Sequence, residues 1–548
     1  MAKGTKKQNF MHGAAILTIG VILMKILGAI YKIPLGNILG DEGYSMFISA
    51  YSVYNIFFIL STAGFPIALS RLIAEADANG RVKQEAKTFR VALLTFAVIG
   101  IAFSLVMFFG SEWLAASYLE NPDAAMSIKA MAPAILLVCL VSAYRGYCQG
   151  NGNMIPTTVD EVLEVLFKVI SGLIISTAVL KAGKGLPSGS AGAILGVSIG
   201  SVVSLSYMII YKRKNYRELA APYTGSRSPD DVPEDDELVD STAKIIKDII
   251  RIGIPIAIGS CIMAILNSVD SKLCMNRLQT AAGFDYKQAK ILYGVYGKAQ
   301  TLFNLPAAFI TPLTVSVVPA ISAALAKKEN AEATKITEDS MRMSAVISLP
   351  MGVGLAVLSA PIMNLMYPDS HSAGPGLLSI MGIASFFVCI VLMENAILQA
   401  SGKERLPMYA MITGSFVKII VNWFLVANRN INIYGAPIGT LCGYMVMALM
   451  NYIFMCRTLE SKPVLRNIFA RPVICSLLMG ICAIGSFKLA ETLIGSGSWL
   501  YTAICAVIAI AAAVIVYLVT VIFFRAVTMA DMKMIPGGEK VGRLLRMK

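Results

Sequence analysis

The chain has 548 residues, of which 56% are hydrophobic and only 15% are charged, and its formal net charge is +14. Soluble domains carry about 25% charged residues, so this composition excludes an ordinary soluble enzyme or binding domain. Apolar runs long enough to cross a bilayer core of about 30 Å recur from one end of the chain to the other. The sequence therefore predicts an all-α polytopic membrane protein.

Hydropathy predicts about fourteen transmembrane helices, and no signal-peptide cleavage pattern accompanies the first of them. The eighth span is too long for one straight crossing, and Pro306, Pro312 and Pro319 within it predict kinks. In chain order the predicted spans are 12–35, 44–70, 91–110, 124–148, 156–180, 186–211, 248–272, 291–326, 343–366, 376–400, 406–427, 433–456, 472–490 and 497–524.

Lysines and arginines are distributed unequally between the two sides of the membrane that these spans define. Most of the 47 lie in segments on the side of the N-terminus, including Arg145 and the tail from Arg525 onward. By the positive-inside rule, both termini are predicted to be cytoplasmic in a bacterial cell membrane. The net positive charge then indicates contact with anionic lipids rather than nucleic acid. The opposite loops hold few basic residues: Lys181, Lys184, Arg277, Lys287, Lys290 and Arg429.

The two halves of the chain repeat the same landmarks in the same order, which predicts an internal duplication. The repeated unit contains six helices, an even number, so both copies enter the membrane in the same sense. This predicts two six-helix lobes in parallel repeat around a central cavity, with two extra C-terminal helices. The landmarks are Tyr51, Tyr54, Gln149, Pro156 and Lys168 in the first half and Tyr293, Tyr296, Gln399, Pro407 and Lys418 in the second.

The predicted domain boundaries follow from this repeat and from one polar segment. The segment SPDDVPEDDELVD is acidic and rich in proline and aspartate, which is typical of a solvated linker. We expect an N-terminal lobe over 1–227, an acidic cytoplasmic linker over 228–247 and a C-terminal lobe over 248–460. The two extra helices and a basic cytoplasmic tail are expected over 461–548.

Lysines interrupt the first span, where a charge at the bilayer centre costs roughly 2.5–3.5 kcal/mol on insertion scales. Lys25 and Lys32 are spaced so that both lie on one face of a helix. Lys25 is too deep to reach the cytoplasmic headgroups, so we expect it to line an aqueous cavity. Lys32 is nearer the outer end and could be a cavity residue or an interfacial anchor. Arg71, which closes the second span, could reach the cavity mouth or be an ordinary cytoplasmic arginine.

Charges also occur in later spans, and lysines outnumber carboxylates, so the cavity is expected to favour an anion. Glu164 and Lys168 form an i,i+4 pair, which suits a structural pair as well as a substrate or proton site. Asp270 could hold a coupling ion or pair with a lysine. The expected charge network is Glu161, Glu164, Lys168, Asp270, Lys272 and Glu394, and Lys298 and Lys418 are further candidate substrate-binding residues.

Three glycines in the sixth span, Gly192, Gly196 and Gly200, form a ridge of small residues at helical spacing. In membranes such ridges let two helix backbones approach closely. We therefore expect a tight helix contact there and assign it no chemistry.

The chain lacks the motifs that would make it an enzyme or an ATP-driven pump. It has no G-x-x-x-x-G-K-[ST] phosphate loop, no HExxH and no convincing nucleophile elbow. Its ten cysteines lie almost entirely within spans without CxxC spacing, which predicts free thiols rather than a metal site or disulfides. The external loops look too short for a catalytic domain. A secondary transporter without a cofactor is therefore expected.

The segments MKILGAIYKIPLGNILGDEGYSMF and YSVYNIFFILSTAGFPIALSRLIAE resemble the start of bacterial oligosaccharide flippases related to stage V sporulation protein B. YGVYGKAQTLFNLPAAFITPLTVSVVPAIS and NAILQASGKERLP are similar to the second half of that family. The family belongs to the multidrug/oligosaccharidyl-lipid/polysaccharide exporter superfamily, which includes the MurJ-type lipid II flippases. The resemblance covers nearly the whole chain.

The resemblance implies two six-helix lobes, a cationic cavity and two extra helices that form a groove for a lipid tail. MurJ-like proteins carry essential arginines in their first two helices. Lys25 matches the first of these, Lys32 approximates the second with a shift of one residue, and Arg71 corresponds loosely to the arginine of the second helix. Lysine keeps the charge but loses the bidentate recognition of a diphosphate, so this chain departs from the family pattern here.

We expect a flippase for an undecaprenyl-diphosphate-linked saccharide, with the peptidoglycan precursor lipid II as the leading cargo. The membrane potential or a H⁺ or Na⁺ gradient would drive a monomer, and cell-wall synthesis enzymes are possible partners. One alternative is a cation-coupled multidrug or other polysaccharide exporter of the same superfamily, whose cavity should favour carboxylates. An alternative of another class is a non-transporting scaffold for cell-wall or spore-cortex synthesis.

Overall fold

The computed structural model describes residues 10–219, 239–459, 462–495 and 499–527, and every regular element in these ranges is helical. Twelve described segments are long and apolar enough to cross a membrane, and each overlaps a predicted span. The other two predicted spans, 12–35 and 248–272, fall within the helices Phe10–Thr62 and Thr242–Thr280, where some side chains lie outside the described part. The all-α polytopic fold is thus confirmed.

The chain folds into two units, and the first extends to Lys272. After the short helix Ser111–Trp113, a π-helical turn covers Leu114–Tyr118 and a 3₁₀ turn covers Pro122–Ala124. The helices of this unit are α1 (Phe10–Thr62), α2 (Phe65–Ala78), α3 (Val82–Phe109), α4 (Ser111–Trp113), α5 (Ala125–Gly150), α6 (Ile155–Lys181), α7 (Gly185–Leu219) and the greater part of α8 (Thr242–Thr280).

Helix α1 consists of two helical stretches joined at a kink, which agrees with the prediction of two separate spans at 12–35 and 44–70. The kink lies between these spans at Gly40, whose backbone takes φ +64° and ψ −174°. Glycine adopts positive φ without the steric cost that a Cβ would bring, so the chain changes direction there without a loop. The second predicted span, 44–70, is itself divided, because α1 ends at Thr62 and a new helix, α2, begins at Phe65. Pro66 lies in the first turn of α2, where no backbone N–H donor is needed.

An aromatic row along α1 forms much of the core of the first unit. Tyr44, Phe47, Tyr51, Tyr54 and Phe58 follow at helical spacing, and successive ring centroids are 5.5–5.7 Å apart. Residues three or four apart lie on one helix face, so this row presents a continuous surface for packing. Buried residues of α3, α5 and α7 complete the same core.

The second unit begins at Leu273, inside α8. The predicted linker 228–247 falls mostly outside the described residues, and its last six residues belong to α8. The remaining helices are α9 (Tyr286–Phe303), α10 (Leu305–Ala326), α11 (Asn330–Val357), α12 (Ser359–Met366), α13 (Gly374–Ala400), α14 (Arg405–Leu425), α15 (Gly435–Thr458), α16 (Leu465–Ile494) and α17 (Trp499–Phe523).

Prolines explain where two predicted spans of the second unit are interrupted. The eighth predicted span divides at Asn304, with Pro306 in the first turn of α10, so its predicted irregularity is confirmed. The ninth, predicted as one helix over 343–366, divides at Leu358 into α11 and α12. Pro361 has no backbone N–H and cannot continue the hydrogen bonds of α11.

The last two helices, α16 and α17, pack on each other and on the second unit. The Tyr517 hydroxyl donates to the Val346 carbonyl of α11, and the Trp499 indole donates to the Leu365 carbonyl of α12 at 3.2 Å. Tyr517 is half-buried and Trp499 is 57% exposed, and the polar end of each has a backbone partner on the second unit. Contacts with α11 and α12 therefore fix the position of α16 and α17, although these two helices lie outside the predicted repeat.

Candidate functional site

The middle of α1, around Tyr31 and Lys32, packs against α6 and α7. Tyr31 is buried, and its hydroxyl donates to the Ala193 carbonyl of α7 at 3.0 Å. A Cβ on Gly172 of α6 would meet the Tyr31 hydroxyl at 2.8 Å, so the glycine makes room for this contact. Lys32, next along the helix, is half-buried. The side chain of Lys25 lies outside the described residues, so its cavity role stays a prediction.

Lys32 and Lys168 form a pair of like charges from two different helices. The two ammonium groups are close enough to repel each other, and both side chains are half-buried. Within the described ranges neither makes an ion pair. Two unneutralised lysines in a membrane-spanning bundle favour the presence of an anion, because uncompensated charge in this environment is costly.

The glycine ridge of α7 positions Lys168 and Glu164. A Cβ on Gly196 would lie 2.6 Å from the Gly172 Cα and 2.7 Å from the Lys168 carbonyl oxygen. A Cβ on Gly200 would collide with the Glu164 carbonyl. The predicted close contact at this ridge is therefore confirmed, and α6 is its partner.

The spacing left open whether Glu164 pairs with Lys168, and the structure shows that its carboxylate binds Arg145 of α5 instead. The Arg145 Nη2 donates to Glu164 Oε2 at 2.9 Å, and its Nε donates to Asp160 Oδ2 at 2.9 Å. Glu161 lies 3.7 Å from Nη1. Arg145 offers a rigid fork with several donors, which suits two carboxylates better than a point charge does. Lys168 is thereby left without this partner.

Serines of α7 complete the carboxylate cluster. Ser204 donates to Asp160 Oδ2 at 2.8 Å, and Ser201 donates to Glu164 Oε1 at 3.2 Å. The cluster thus joins α5, α6 and α7 through charge-assisted bonds in the interior of the first unit. Arg145 is 8% exposed and Asp160 is 0% exposed, so neither is open to a large ligand.

Arg145 and Asp160 are the members that sequence reasoning missed. Arg145 lies near the end of the predicted span 124–148, where a cytoplasmic arginine is expected, yet it is buried in α5. Asp160 lies near the start of the predicted span 156–180, where a solvated carboxylate is expected, yet it is 0% exposed. Three acidic residues within the first turns of α6 need a counter-charge, and the short connection from α5 brings Arg145 opposite them. That pattern could have indicated the cluster.

The other expected residues of the first unit lie apart from this cluster. Arg71 is exposed on α2. Asp270 is buried, and the Lys272 ammonium lies 5.6 Å from the centroid of the Tyr118 ring. The sequence placed both near the end of their helix, but α8 continues to Thr280, so they lie inside it.

In the second unit, the expected charged residues are buried to different extents. Lys298 is 2% exposed, and its ammonium lies 5.1 Å from the centroid of the Tyr367 ring. Glu394 is 1% exposed, and its Oε2 has no hydrogen-bond partner in the described part of the protein. Lys418 is half-buried on α14.

Lys168 and Lys418, which correspond to each other in the repeat, both have a backbone carbonyl that packs against a glycine of the next helix. A Cβ on Gly439 of α15 would lie 3.1 Å from the Lys418 carbonyl oxygen, as one on Gly196 would lie against that of Lys168. The alignment that matches these lysines also matches Arg145 with Asn395 of α13. The Asn395 side-chain oxygen accepts a hydrogen bond from the Asn451 side-chain amide at 2.8 Å. A pair of uncharged amides therefore occupies the position in the second unit that corresponds to the charged cluster of the first.

Comparisons with known proteins agree with this architecture. The family model described as polysaccharide biosynthesis protein matches residues 10–325, and the MatE model matches residues 293–424. The chain is 24% identical to the stage V sporulation protein B of Bacillus subtilis (strain 168) over 98% of this chain and 99% of that protein.

Two further similarities concern proteins described as lipid II flippases. The chain is 23% identical to the lipid II flippase MurJ of Bacillus subtilis (strain 168), over 82% of this chain and 83% of that protein. A solved structure of the lipid II flippase MurJ in an inward closed conformation superposes with a TM-score of 0.67 at 16% identity. That match covers 93% of this chain and 99% of the other, and it concerns the fold alone.

Proposed function

Because the chain belongs to the polysaccharide biosynthesis protein family, we propose that it is a flippase for an undecaprenyl-diphosphate-linked saccharide, with lipid II as its cargo. It moves the headgroup from the inner to the outer leaflet by alternating access, and no covalent bond changes. The observation that carries this proposal is the pair of half-buried lysines, Lys32 and Lys168, which lack an ion-pair partner in the described residues.

The intramembrane charges around α6 fall into two groups, those that form ion pairs with one another and those that are available to a cargo. Arg145 is engaged by Asp160, Glu161 and Glu164, so its guanidinium has little left to offer a cargo. Lys32 and Lys168 repel each other, and a diphosphate between them would replace that repulsion with two charge-assisted hydrogen bonds. Lys25, as predicted from the sequence, would add a third cation on the same helix as Lys32.

A positively charged cargo site also allows the membrane potential to drive transport. Each elementary charge that crosses 100 mV gains or loses about 2.3 kcal/mol. With cytoplasmic termini, expulsion of an anionic headgroup from a negative cytoplasm is downhill, and so is the inward return of the emptied cationic site. The membrane potential can therefore drive the cycle without a bound cofactor.

The test is a flipping assay with the purified chain in liposomes that contain fluorescent lipid II. We expect Lys32→Ala and Lys168→Ala each to slow flipping by at least about tenfold, because each removes a charge-assisted bond of about 1.5–3 kcal/mol. Lys129→Ala is the matched control, since that lysine pairs with Glu112 at 3.6 Å and is 43% exposed. Wild-type protein that moves no lipid-linked saccharide would refute the proposal.

The match of the MatE model to residues 293–424 favours a multidrug exporter as the second candidate. Such a protein would need an acidic site for cationic drugs, and Glu394 of α13 is an intramembrane carboxylate within the matched residues, although its side chain is 1% exposed and closed to a ligand in this structure. Drug susceptibility of a deletion strain separates the two functions. A flippase predicts unchanged susceptibility to cationic drugs and accumulation of a lipid-linked intermediate.

A further inference from the structure

Three connections of the second unit converge on one pocket of about 280 Å³. We call it the loop pocket. It lies where α9, α13 and α15 begin, and in the predicted topology this end of the unit faces the outside. Its walls are Phe284, Gln288, Ile291 and Leu292 from the start of α9, His371–Ala373 before α13, and Asn432 and Tyr434 before α15.

The walls of the loop pocket are held in place by bonds within the protein. The Asp285 carboxylate caps α9 by accepting from the Gln288 backbone N–H at 2.7 Å, which fixes the helix that carries the Gln288 side chain. The His371 Nδ1 accepts from the Ala373 N–H at 3.1 Å. Asn432 has φ +43°, and its side-chain oxygen accepts from the Ile433 N–H at 2.7 Å.

The position of Tyr434 in the pocket wall depends on Gly376, which lies at the start of α13. A Cβ on Gly376 would lie 2.6 Å from the Tyr434 Cε1 and 3.1 Å from its hydroxyl oxygen. Any larger residue would therefore push the ring away. The loop pocket is thus preformed, as small-molecule sites usually are.

The chemistry of the lining selects against charged groups. None of the described residues that line the loop pocket is Lys, Arg, Asp or Glu. Phe284 and Tyr434 supply aromatic surface, and Gln288 and Ser372 supply an amide and a hydroxyl that make no hydrogen bond within the described residues. Apolar walls with a few polar groups suit a neutral ring that carries hydroxyl or amide substituents. A phosphate would find no cation here.

The volume of the loop pocket further limits which molecules can bind in it. Sites for drug-sized molecules occupy about 300–1,000 Å³, so 280 Å³ holds about one ring. It is too small for a polyprenyl chain or a peptide stem. We propose that the loop pocket binds one neutral sugar ring of the cargo headgroup on the outer side of the membrane. This inference rests on the proposed flippase function, to which it adds a second site for the saccharide.

The test measures binding of free N-acetylglucosamine to the full chain in nanodiscs by saturation-transfer NMR. We expect saturable transfer to wild type, and binding about tenfold weaker in Gln288→Ala and Tyr434→Leu, since each loses a matched contact. Lys287→Ala is the control, because that exposed lysine precedes Gln288 but does not line the pocket. Cyclohexanol, a ring of similar size with one hydroxyl, should bind more weakly than the sugar.

Several outcomes decide between this inference and the proposed function. Absence of saturable sugar binding, or equal binding by wild type, Gln288→Ala and Tyr434→Leu, would overturn the loop pocket as a saccharide site. If lipid II flipping persists in that case, the proposed function stands. If a chain that binds sugar moves no lipid, the proposed function fails while the pocket is supported. Stronger binding of cyclohexanol than of N-acetylglucosamine would also contradict a sugar site.

Discussion

Removal of Arg145 should destabilise the first unit more than any substitution of an exposed charge. In Arg145→Leu the carboxylates of Asp160 and Glu164 lose donors that now lie 2.8–2.9 Å away. Asp160 is 0% exposed, so water cannot replace the guanidinium. Breaking a buried ion pair in this way costs about 3–5 kcal/mol. For a unit of this size the loss corresponds to a melting temperature lower by roughly 6–20 °C.

The natural thiols provide the assay. All ten cysteines are free, and Cys139 and Cys148 lie buried on α5, the helix of Arg145. A thiol-reactive dye therefore reports unfolding of the purified protein in detergent as temperature rises. Lys129→Leu breaks the exposed pair with Glu112 and should cost less than about 1 kcal/mol.

A compensating change sharpens this prediction. In Arg145→Leu/Asp160→Asn the most buried carboxylate no longer carries a charge, so about half of the lost stability should return. A melting temperature of Arg145→Leu within 2 °C of wild type would refute a buried, charge-bonded cluster. The reasoning would also fail if Asp160→Asn made the Arg145→Leu variant less stable.

Two further changes probe the helix contact and the driving force. Gly196→Val should separate α6 from α7 and lower the melting temperature, because even a Cβ would lie 2.6 Å from the Gly172 Cα. Gly485→Ala should leave the melting temperature unchanged, since nothing lies within 4 Å of its Cβ position. Equal melting temperatures for the two variants would contradict the contact between α6 and α7. Flipping in proteoliposomes should accelerate under an imposed inside-negative potential, because about 2.3 kcal/mol is available per charge per 100 mV. A rate that ignores the potential would exclude charge movement as the driving force.

The extent to which sequence alone predicted the fold depends on the kind of signal. Hydropathy found the membrane helices because the period and length of apolar runs are local properties of the chain. The predicted gap between the spans 12–35 and 44–70 contains Gly40, where α1 kinks, but hydropathy could not show that the helix resumes there without a loop. The break at Leu358 has a local signal in Pro361, but the apolar pattern continues across it, so hydropathy predicts a single span.

The candidate site was harder to predict because it depends on contacts between helices. The spacing of Glu164 and Lys168 correctly placed both on one face, but it could not reveal that Arg145 of a neighbouring helix competes for the carboxylate. Arg145 lies near a predicted membrane boundary, where most arginines are solvated, so only its three-dimensional surroundings identify it as buried. The proximity of Lys32 and Lys168 likewise arises from packing of α1 on α6.

The most direct test of the central claim is the affinity of undecaprenyl diphosphate for the protein in nanodiscs, measured for wild type and a double-mutant cycle at Lys32 and Lys168. The two lysines contact one diphosphate in this account, so each single change to Gln should weaken binding by at least about tenfold. The double change should cost less than the sum of both single changes, because the two charges also repel each other. Affinities that are unchanged in both single variants would contradict the claim that these lysines hold the cargo.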